Sequence, residues 1–262
     1  SSIITACAAS KVKSLNTFSI GFKDEPYFDE TKYANLVAQR YGTNHTVFSI
    51  SNDEMFENIF SILDYIDEPF ADSSAIAVYI LSQKTRQKVT VALSGDGGDE
   101  LFAGYNKHKA ELRARNASAL NTLVRCSLPA IKLLPKSRHG KLGNLFRQIQ
   151  RFGEGMNLSN AERYWRWCSF NTTATALQLL HKQHELSEDE VTKRRKFIEN
   201  WVTDTGDLND VLYADTQLVL SGDMLAKVDY MSMANSLEVR VPLLDYTVVD
   251  FAFSLPIDFK ID

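Results

Sequence analysis

Apolar residues recur with two different periods in the N-terminal part of this chain. Short stretches in which they cluster or alternate predict strands, and longer stretches in which they recur every three or four positions predict helices. The predicted elements are, in order, a helix over Ser2–Val12, a strand over Asn16–Phe22, a helix over Asp29–Tyr41, a strand over His45–Ile50, a helix over Asp53–Ile66 capped by Asn52, a helix from Ser73 or Ser74 to about Gln87, and a strand over Val89–Leu93. Strands that alternate with helices of this length predict βαβ units in a parallel sheet with right-handed crossovers.

The pattern changes after Gly104. From Asn106 to Phe253 the apolar spacing is helical almost throughout. We therefore predict an α/β layer over residues 1–104 and a helical lobe over residues 105–262. An active-site crevice between the two parts is the arrangement we expect from this division.

Composition limits the classes of function. The chain has 262 residues, is 44% apolar and carries a net charge of −4, which fits one large domain or a domain with an appendage and does not suggest a nucleic-acid partner. Charge is unevenly distributed, because Lys107–Arg151 holds eleven basic residues against one acid and Asn52–Asp72 holds seven acids and no base. Phe146 is the only aromatic residue in the basic stretch, so we interpret it as solvated helix faces or a contact with a further domain.

Cysteines and apolar runs exclude further classes. Cys7, Cys126 and Cys168 are odd in number and far apart, which predicts reduced thiols in the cytoplasm and neither a disulfide framework nor a zinc site. No apolar run approaches the ~18 residues that a membrane-spanning helix needs. The N-terminus lacks the basic segment of a signal peptide.

The loop Ser94–Glu100 is the most informative segment. It follows an apolar run that predicts a buried strand, and its sequence is S-G-D-G-G-D-E. Glycines permit a tight turn and a close approach to a ligand, and backbone N–H groups at the start of a helix can hold phosphate oxygens. Three carboxylates in five residues would repel a bare phosphate, so this interpretation requires Mg²⁺ between them. The alternative is an exposed acidic turn.

A second informative segment is Asp223–Asp245. Lys227 and Asp229, and further on Glu238 and Arg240, stand among apolar residues, which predicts that they are buried. Buried charges are rare unless they are paired. Pro242 disfavours helical backbone at the preceding residue, which places Glu238 and Arg240 at a helix exit. Charges so placed either contact a substrate or join two parts of the protein.

Together these segments resemble the synthetase domain of the glutamine-hydrolysing asparagine synthetase family. The family's S-G-E-G-S-D-E loop and F-x-G-Y element are similar to Ser94–Glu100 and Phe102–Tyr105. Its K-x-D-x-x-x-M and E-x-R-V-P-F-L-D patterns are similar to the segment from Lys227 to Asp245, and its S-F-x-V-G strand is similar to Thr17–Gly21.

The resemblance implies a fold and a reaction. The fold is a parallel-sheet ATP-pyrophosphatase (adenine nucleotide α-hydrolase-like) α/β layer with a helical lobe. In the reaction, ATP activates the side-chain carboxylate of aspartate as β-aspartyl-AMP with release of pyrophosphate, and ammonia then displaces AMP to give asparagine. Mg²⁺ accompanies the pyrophosphate.

The resemblance also implies roles for individual residues. Asp99 is expected to hold Mg²⁺, and Asp96, which replaces the family's glutamate, and Arg240 are expected to be catalytic. The residues expected to contact ATP are Ile20 and Gly21 on the adenine side, and Ser94, Gly95 and Gly97 in the loop. Ser73 and Ser74 lie where the aspartyl or AMP group is expected, although they could simply cap the following helix.

Parts of the family pattern have little or no counterpart in this chain. The pyrophosphate loop S-G-G-x-D-S-S is represented at most by Ser1 and Ser2, and the downstream G-x-K segment is absent. We therefore expect a piece of a longer enzyme whose N-terminal glutaminase domain supplies ammonia, and we expect this chain alone to be inactive. A homodimer is compatible with the pattern, and no membrane partner is expected.

Two alternatives remain at the level of sequence. One is a related ATP-pyrophosphatase amide ligase that acts on another carboxylate, such as a β-lactam-forming enzyme. The other is a non-catalytic module that binds a partner through the basic Lys107–Arg151 stretch. Pyrophosphate release with a panel of carboxylates separates all three hypotheses.

Overall fold

The computed structural model describes residues 1–68, 70–116, 119–131, 141–179, 187–204 and 207–261, so part of the basic stretch lies outside the described residues. The strands are β1 (Asn16–Phe22), β2 (Asn44–Ile50), β3 (Val91–Leu93) and β4 (Glu238–Arg240). The α-helices are α1 (Ser2–Ala9), α2 (Thr31–Tyr41), α3 (Asn52–Tyr65), α4 (Ser74–Arg86), α5 (Gly98–Leu101), α6 (Asn106–Arg115), α7 (Ala119–Ile131), α8 (Lys141–Gly155), α9 (Asn160–Cys168), α10 (Thr173–Gln178), α11 (Glu188–Arg195), α12 (Asn209–Asp215), α13 (Leu225–Met233) and α14 (Tyr246–Ser254). A π-helix over Thr216–Met224 follows α12 and leads into α13.

The predicted N-terminal elements are confirmed, with boundaries that differ by a few residues. Helix α1 ends at Ala9, three residues before the predicted end. The cap of α3 is Ser51 and not Asn52, because the Ser51 hydroxyl accepts the N–H of Glu54 at 3.2 Å. A hydroxyl that accepts a free N–H of the first turn is the usual way in which a helix start is satisfied.

The chain divides into two compact units. The first contains Ser1–Gly98 and Leu220–Phe251, and the second contains Asp99–Val219 and Ala252–Asp262. This division differs from a single boundary at residue 104, because α13 and β4 group with the N-terminal residues. The two segments of the first unit are more than a hundred residues apart in the sequence, so no local pattern predicts that they pack together.

Parallel strand pairs organise the first unit. β1 pairs with β2 in parallel from Asn16 opposite Asn44 to Phe22 opposite Ile50, and α2 is the connection between them. β3 pairs in parallel with β4. In the described residues these pairs form two separate two-stranded sheets. The prediction of parallel strands is confirmed, and no described strand joins the two pairs into one sheet. Helices α3, α4 and α13 contribute Ile62, Ala75 and Met231 to a small hydrophobic core.

Strand β3 is less buried than its apolar sequence predicts. Val91 is 41% exposed and Leu93 is 51% exposed, so the prediction of a buried strand is wrong. Burial of both faces requires neighbouring elements on both sides. In the part of the chain that the structure describes, β3 belongs to a sheet of two strands, and its Val91 and Leu93 side chains are not fully covered.

The second unit is helical. Its core contains Tyr164, Leu208, Leu212 and Ile198, each at most 2% exposed. Ser159 and Glu162 form a capping box at the start of α9, which satisfies two free N–H groups reciprocally. The chain as a whole is therefore a mixed α/β protein that is mostly helical, with small parallel sheets. No helix in the described ranges is long and apolar enough to cross a membrane.

Candidate active site

The two informative segments of the sequence meet in the first unit. β3, which leads into the loop Ser94–Glu100, pairs with β4, which carries Glu238 and Arg240. The N–H of Ser94 donates to the carbonyl of Arg240 at 2.8 Å, and the N–H of Glu238 donates to the carbonyl of Thr90 at 3.0 Å. Glu238 and Arg240 therefore lie in a strand and not at a helix exit.

Glycines of the loop pack against the segment that follows β4. A Cβ atom at Gly97 would lie 2.8 Å from the Leu244 Cγ, and Gly97 has a positive φ of +86°. A Cβ atom at Gly98 would lie 3.1 Å from the Leu243 Cδ1. Because Gly97 is constrained both by its backbone conformation and by Leu244, the fold itself requires glycine there.

The three carboxylates of the loop have different surroundings. Asp96 is half-buried and accepts a hydrogen bond from the Ser94 hydroxyl. Asp99 is exposed, and among the described residues its carboxylate has no hydrogen-bond donor. Glu100 is 1% exposed, and its Oε1 accepts the hydroxyl of Tyr105 at 2.6 Å. Asp99 is therefore the carboxylate of this loop with the most capacity for an added ligand.

Burial governs the titration of the Glu100–Tyr105 pair. Burial raises the pKa of the Glu100 carboxyl, and the charges of Asp215 and Asp99 raise it further, against the hydrogen bond from Tyr105. Burial and the acceptor Glu100 also raise the pKa of Tyr105. The pair thus disfavours ionisation, in contrast to an exposed acidic turn.

A cavity of about 980 Å³ in the first unit is the candidate ligand pocket. Its wall includes Ile20 of β1, Ala92 of β3 and the start of the loop, Ser94–Asp96. Lys227 also lines it and is the only lysine or arginine in the wall among the described residues. The volume lies in the range of small-molecule sites, which is about 300–1,000 Å³.

The N-terminal residues lie beside the loop in the same wall. Ser1 and Ser2 line the cavity, and a Cβ atom at Gly95 would lie 2.5 Å from the Ser1 nitrogen. Ser1, one of the two residues that could represent the family's pyrophosphate loop, is thus next to Gly95. The sequence pattern indicated no proximity between them.

His45 contributes polar groups to the cavity that the sequence analysis did not identify. Its Nδ1 lies 2.9 Å from the Thr17 hydroxyl, and its Nε2 lies 3.0 Å from the Ser19 hydroxyl. Part of this arrangement was predictable from the sequence, because alternate residues of a strand such as Thr17 and Ser19 lie on the same face. Register between β1 and β2 was needed to place the three side chains together.

Gly21, predicted to contact adenine, is outside the cavity wall. A Cβ atom there would lie 2.7 Å from the Thr31 Cγ2 and 3.1 Å from the Asp29 Oδ1. Glycine at this position therefore lets β1 pass close to the start of α2.

The start of α4 is held by Asp72 and Lys227. The Asp72 carboxylate accepts the N–H of Ser74 at 2.9 Å, while Lys227 Nζ donates to Asp72 at 2.6 Å and to the Ser74 hydroxyl at 2.9 Å. Although burial raises the pKa of Asp72, the hydrogen bonds from Lys227 and Ser74 outweigh it, and the pKa lies below its usual value. Ser73 precedes α4 without a side-chain capping bond, so Asp72, which the sequence analysis missed, performs the capping.

Arg240 is not a buried charge. Its side chain is 65% exposed, and its Nε donates to Glu238, 54% exposed, at 2.7 Å. Asp229 is also exposed. The expectation of a buried charge at Arg240 is therefore wrong, because alternate residues of the two-stranded β3–β4 sheet point to solvent.

The side chains of this site fit a Mg²⁺ ion that is bound mainly by a substrate and by few protein ligands. Among the described residues, no group of three or more His, Cys, Asp and Glu side chains is placed to hold a metal ion. Mg²⁺ is commonly bound by one or two carboxylates together with substrate phosphates, and not by a cage of protein ligands. The free carboxylate of Asp99 fits that mode.

A buried polar cluster in the second unit was not predicted at all. Asp215 is fully buried and accepts hydrogen bonds from Lys107, His108 and Tyr164. Lys107 Nζ also lies 3.4 Å from the sulfur of Cys168. The only signal in the sequence was an acid within an apolar helical pattern, which does not reveal its partners.

Comparison with known proteins gives a consistent result over the whole chain. A family model described as asparagine synthase matches residues 1–262. "Asparagine synthetase [glutamine-hydrolyzing] 1" of Bacillus subtilis is 33% identical over 261 residues, which cover 99% of this chain and 39% of the relative. "Putative asparagine synthetase [glutamine-hydrolyzing]" of Mycobacterium bovis is 31% identical over 268 residues, which cover 100% of this chain and 38% of the relative.

A further relative matches a shorter region. "Putative asparagine synthetase [glutamine-hydrolyzing] 2" of Methanocaldococcus jannaschii is 35% identical over 152 residues, 58% of this chain. The chain thus spans about two fifths of the length of the relatives that it matches throughout. With a family model that matches every residue of the sequence, the chain belongs to the asparagine synthase family.

Proposed function

We propose that this chain is the synthetase part of an ATP-dependent amide ligase that forms asparagine from aspartate through β-aspartyl-AMP. Membership of the asparagine synthase family supports the ligase class. The observation that carries the proposal is the convergence of the first part of the loop, Ser94–Gly98, with strand β4 and the cavity in the first unit. Neither an exposed acidic turn nor a simple partner-binding surface requires a cavity at that position.

ATP binding is assigned to the cavity. Ile20 lines it at the expected adenine side, and Ser94 and Gly95 line it at the start of the loop. Gly97 contributes by keeping the loop turned tightly, as its positive φ requires. Lys227 is paired with Asp72, and Glu30 and Asp96 also line the wall, so a nucleotide in this cavity would need Mg²⁺ to balance its negative charge.

The residues of the site suit activation of a carboxylate. A free carboxylate is a poor acyl donor, because it lacks a good leaving group, and adenylation supplies one. Asp96 lies in the cavity wall, oriented by the Ser94 hydroxyl, at the place where the acyl-adenylate is expected to form. The exposed guanidinium of Arg240 is free to approach the charged groups of the substrates, although it lies outside the cavity wall.

Mg²⁺ and ammonia complete the proposed reaction. Asp99 would hold Mg²⁺, which neutralises charge on the departing pyrophosphate. The relatives are named as glutamine-hydrolysing enzymes and are about two and a half times as long as this chain. We therefore assign the supply of ammonia to a glutaminase domain elsewhere in the longer protein, with Ser73 and Ser74 near the aspartyl or AMP group.

The test is pyrophosphate release by the longer enzyme with aspartate, ATP, Mg²⁺ and ammonia. Asp99→Asn removes one negative charge where charge develops, and we expect a loss of about 10²–10³ in rate. Asp250→Asn, an exposed aspartate in α14, is the matched control and should retain the parent rate. A rate within threefold of the parent for Asp99→Asn contradicts the assignment.

The same assay tests the acceptor. Aspartate is compared with a panel of other carboxylates, and the amide product is identified by amino-acid analysis. Turnover with another carboxylate in preference to aspartate would identify a related amide ligase, and absence of both ATP binding and pyrophosphate release would favour a partner-binding module.

A further inference from the structure

Gly104 lies directly against the carboxylate of Asp99, and both residues belong to the second unit. A Cβ atom at Gly104 would lie 2.8 Å from the Asp99 Cγ and 3.1 Å from its Cα, closer than ordinary van der Waals contacts allow. The N–H of Gly104 also donates to the carbonyl of Asp99 at 3.0 Å. The present orientation of the Asp99 carboxylate is therefore possible only while residue 104 has no side chain.

The backbone of Gly104 does not itself require glycine. Among the described glycines, positive φ values occur at Gly42 and Gly97. Strain in this turn lies one residue earlier, at Ala103, which has a φ of +58° and is 3% exposed. An alanine at position 104 could adopt the backbone conformation, so the requirement for glycine comes from the space that Asp99 occupies.

A second hydrogen bond stabilises the same turn. The Tyr105 hydroxyl donates to the Glu100 carboxylate at 2.6 Å, and Glu100 is the residue after Asp99. Leu101, which follows, is fully buried. The turn from Asp99 to Tyr105 is thus fixed by two hydrogen bonds that join its start to its end, and by a buried side chain between them.

We propose that Gly104 and Tyr105 are positioning residues that set the orientation of the Asp99 carboxylate towards Mg²⁺–pyrophosphate. The inference rests on the proposed function, because it assigns a role to Asp99 in that site. Mg²⁺ demands near-ideal octahedral geometry at short distances, so a rotated carboxylate binds it poorly even when its charge is unchanged. This gives a physical reason for a glycine and a tyrosine that follow the loop at this spacing.

The test compares variants of the longer enzyme by calorimetric titration with magnesium pyrophosphate. Gly104→Ala should weaken binding about 10–100-fold, the usual effect of disturbing groups that orient a metal ligand. Tyr105→Phe should weaken binding by about tenfold, because it removes one of the two hydrogen bonds that hold the turn. The half-saturating Mg²⁺ concentration for pyrophosphate release should rise in both variants.

Gly155→Ala is the matched control. A Cβ atom there would lie 2.8 Å from the Trp167 Nε1, a clash in the same unit that does not involve Asp99. It should lower the melting temperature and leave the affinity for magnesium pyrophosphate unchanged. If Gly104→Ala behaves like Gly155→Ala, Gly104 serves only packing and the inference is wrong.

The outcome for Asp99→Asn separates this inference from the proposed function. Binding that is unaffected by Asp99→Asn contradicts the proposed function itself. Binding that is lost in Asp99→Asn but equal to the parent in Gly104→Ala and Tyr105→Phe contradicts only the positioning role. Should Gly104→Ala fail to fold, parent-like affinity in Tyr105→Phe alone overturns the inference.

Discussion

Asp99 and Asp215 belong to the same compact unit and have opposite surroundings. Asp215 is fully buried and accepts hydrogen bonds from Lys107 Nζ at 2.6 Å, His108 Nε2 at 2.7 Å and the Tyr164 hydroxyl at 2.9 Å. Asp99 is exposed, and its carboxylate has no protein donor in the part of the chain that the structure describes. A buried carboxylate that accepts several hydrogen bonds from protein donors belongs to the fold, whereas an exposed carboxylate without a protein donor can accept a ligand.

The titration of Asp215 agrees with a structural role. Burial raises the pKa of its carboxyl, but the hydrogen bond from His108 and the positive charge of Lys107 outweigh burial, so the pKa lies below its usual value. A carboxyl group with a lowered pKa stabilises the folded chain above the pKa of the unfolded state, about 3.9. That contribution is lost as the pH falls through the lower pKa of the folded state.

The largest effect on stability is expected for Asp215→Asn. The substitution leaves Lys107, 17% exposed, with a buried positive charge and without its anionic partner, which should cost about 3–5 kcal/mol in the free energy of unfolding. Urea denaturation measures this loss. Asp99→Asn should leave the free energy of unfolding unchanged within about 0.5 kcal/mol, as is usual for exposed positions. Equal losses in both variants would remove the distinction between the two aspartates.

A smaller effect is expected for Lys227→Met in the first unit. The substitution leaves Asp72, 19% exposed, without its cation, and loss of a hydrogen bond to a charged group typically costs about 1.5–3 kcal/mol. The matched control is Lys84→Met, which breaks the Lys84–Glu54 ion pair of similar length, 2.7 Å, at 30% and 29% exposure. Because exposed pairs contribute about 0–1 kcal/mol, the control should be clearly milder in urea denaturation. A control that costs as much as Lys227→Met contradicts a special role for the Asp72–Lys227 pair.

Glu100→Gln tests the sign of the pH dependence. Burial raises the pKa of Glu100, so the folded chain binds this proton more tightly than the unfolded chain, and the free energy of unfolding falls as the pH rises above about 4.3, the usual pKa of glutamate. We therefore expect the stability of the parent relative to Glu100→Gln to decline from about pH 4.5 to about pH 8. Urea denaturation across this range measures it. A relative stability that rises with pH would show that Glu100 behaves like Asp215.

The smallest effect is expected for Arg240→Ala. With its partner Glu238, Arg240 forms an exposed ion pair at 2.7 Å, and such pairs contribute about 0–1 kcal/mol. Thermal unfolding should therefore change little, whereas pyrophosphate release should fall if Arg240 touches a substrate. A large loss of stability would contradict this prediction and show that Arg240 stabilises the fold as a buried charge does.

Local patterns identified much of the site. The strand β1, the glycine-rich loop and the helix α4 were predictable because backbone preferences and apolar spacing act over a few residues. Burial was predicted less well. Leu93 was expected to be buried by its apolar character, but it is half-exposed, since burial depends on which elements cover it.

The partners of charged residues were beyond local reasoning. Asp72 and Lys227 are 155 positions apart, and Lys107 and Asp215 are 108 positions apart. Nothing in the neighbourhood of any of these residues indicates its partner. Residue types alone also could not distinguish Asp99, which is free, from Glu100, which is tied to Tyr105.

The sequence by itself determined the family, the class of fold and the loop that carries the candidate chemistry, because motifs with ordered spacing and periodic apolar positions are local properties. Tertiary structure alone decided that β3 pairs with β4, that Gly104 lies against Asp99, and which carboxylates accept hydrogen bonds from protein donors. The physical reason is that hydrogen bonding and burial depend on distances through space. Residues far apart in the chain set those distances, and only the folded protein brings them together.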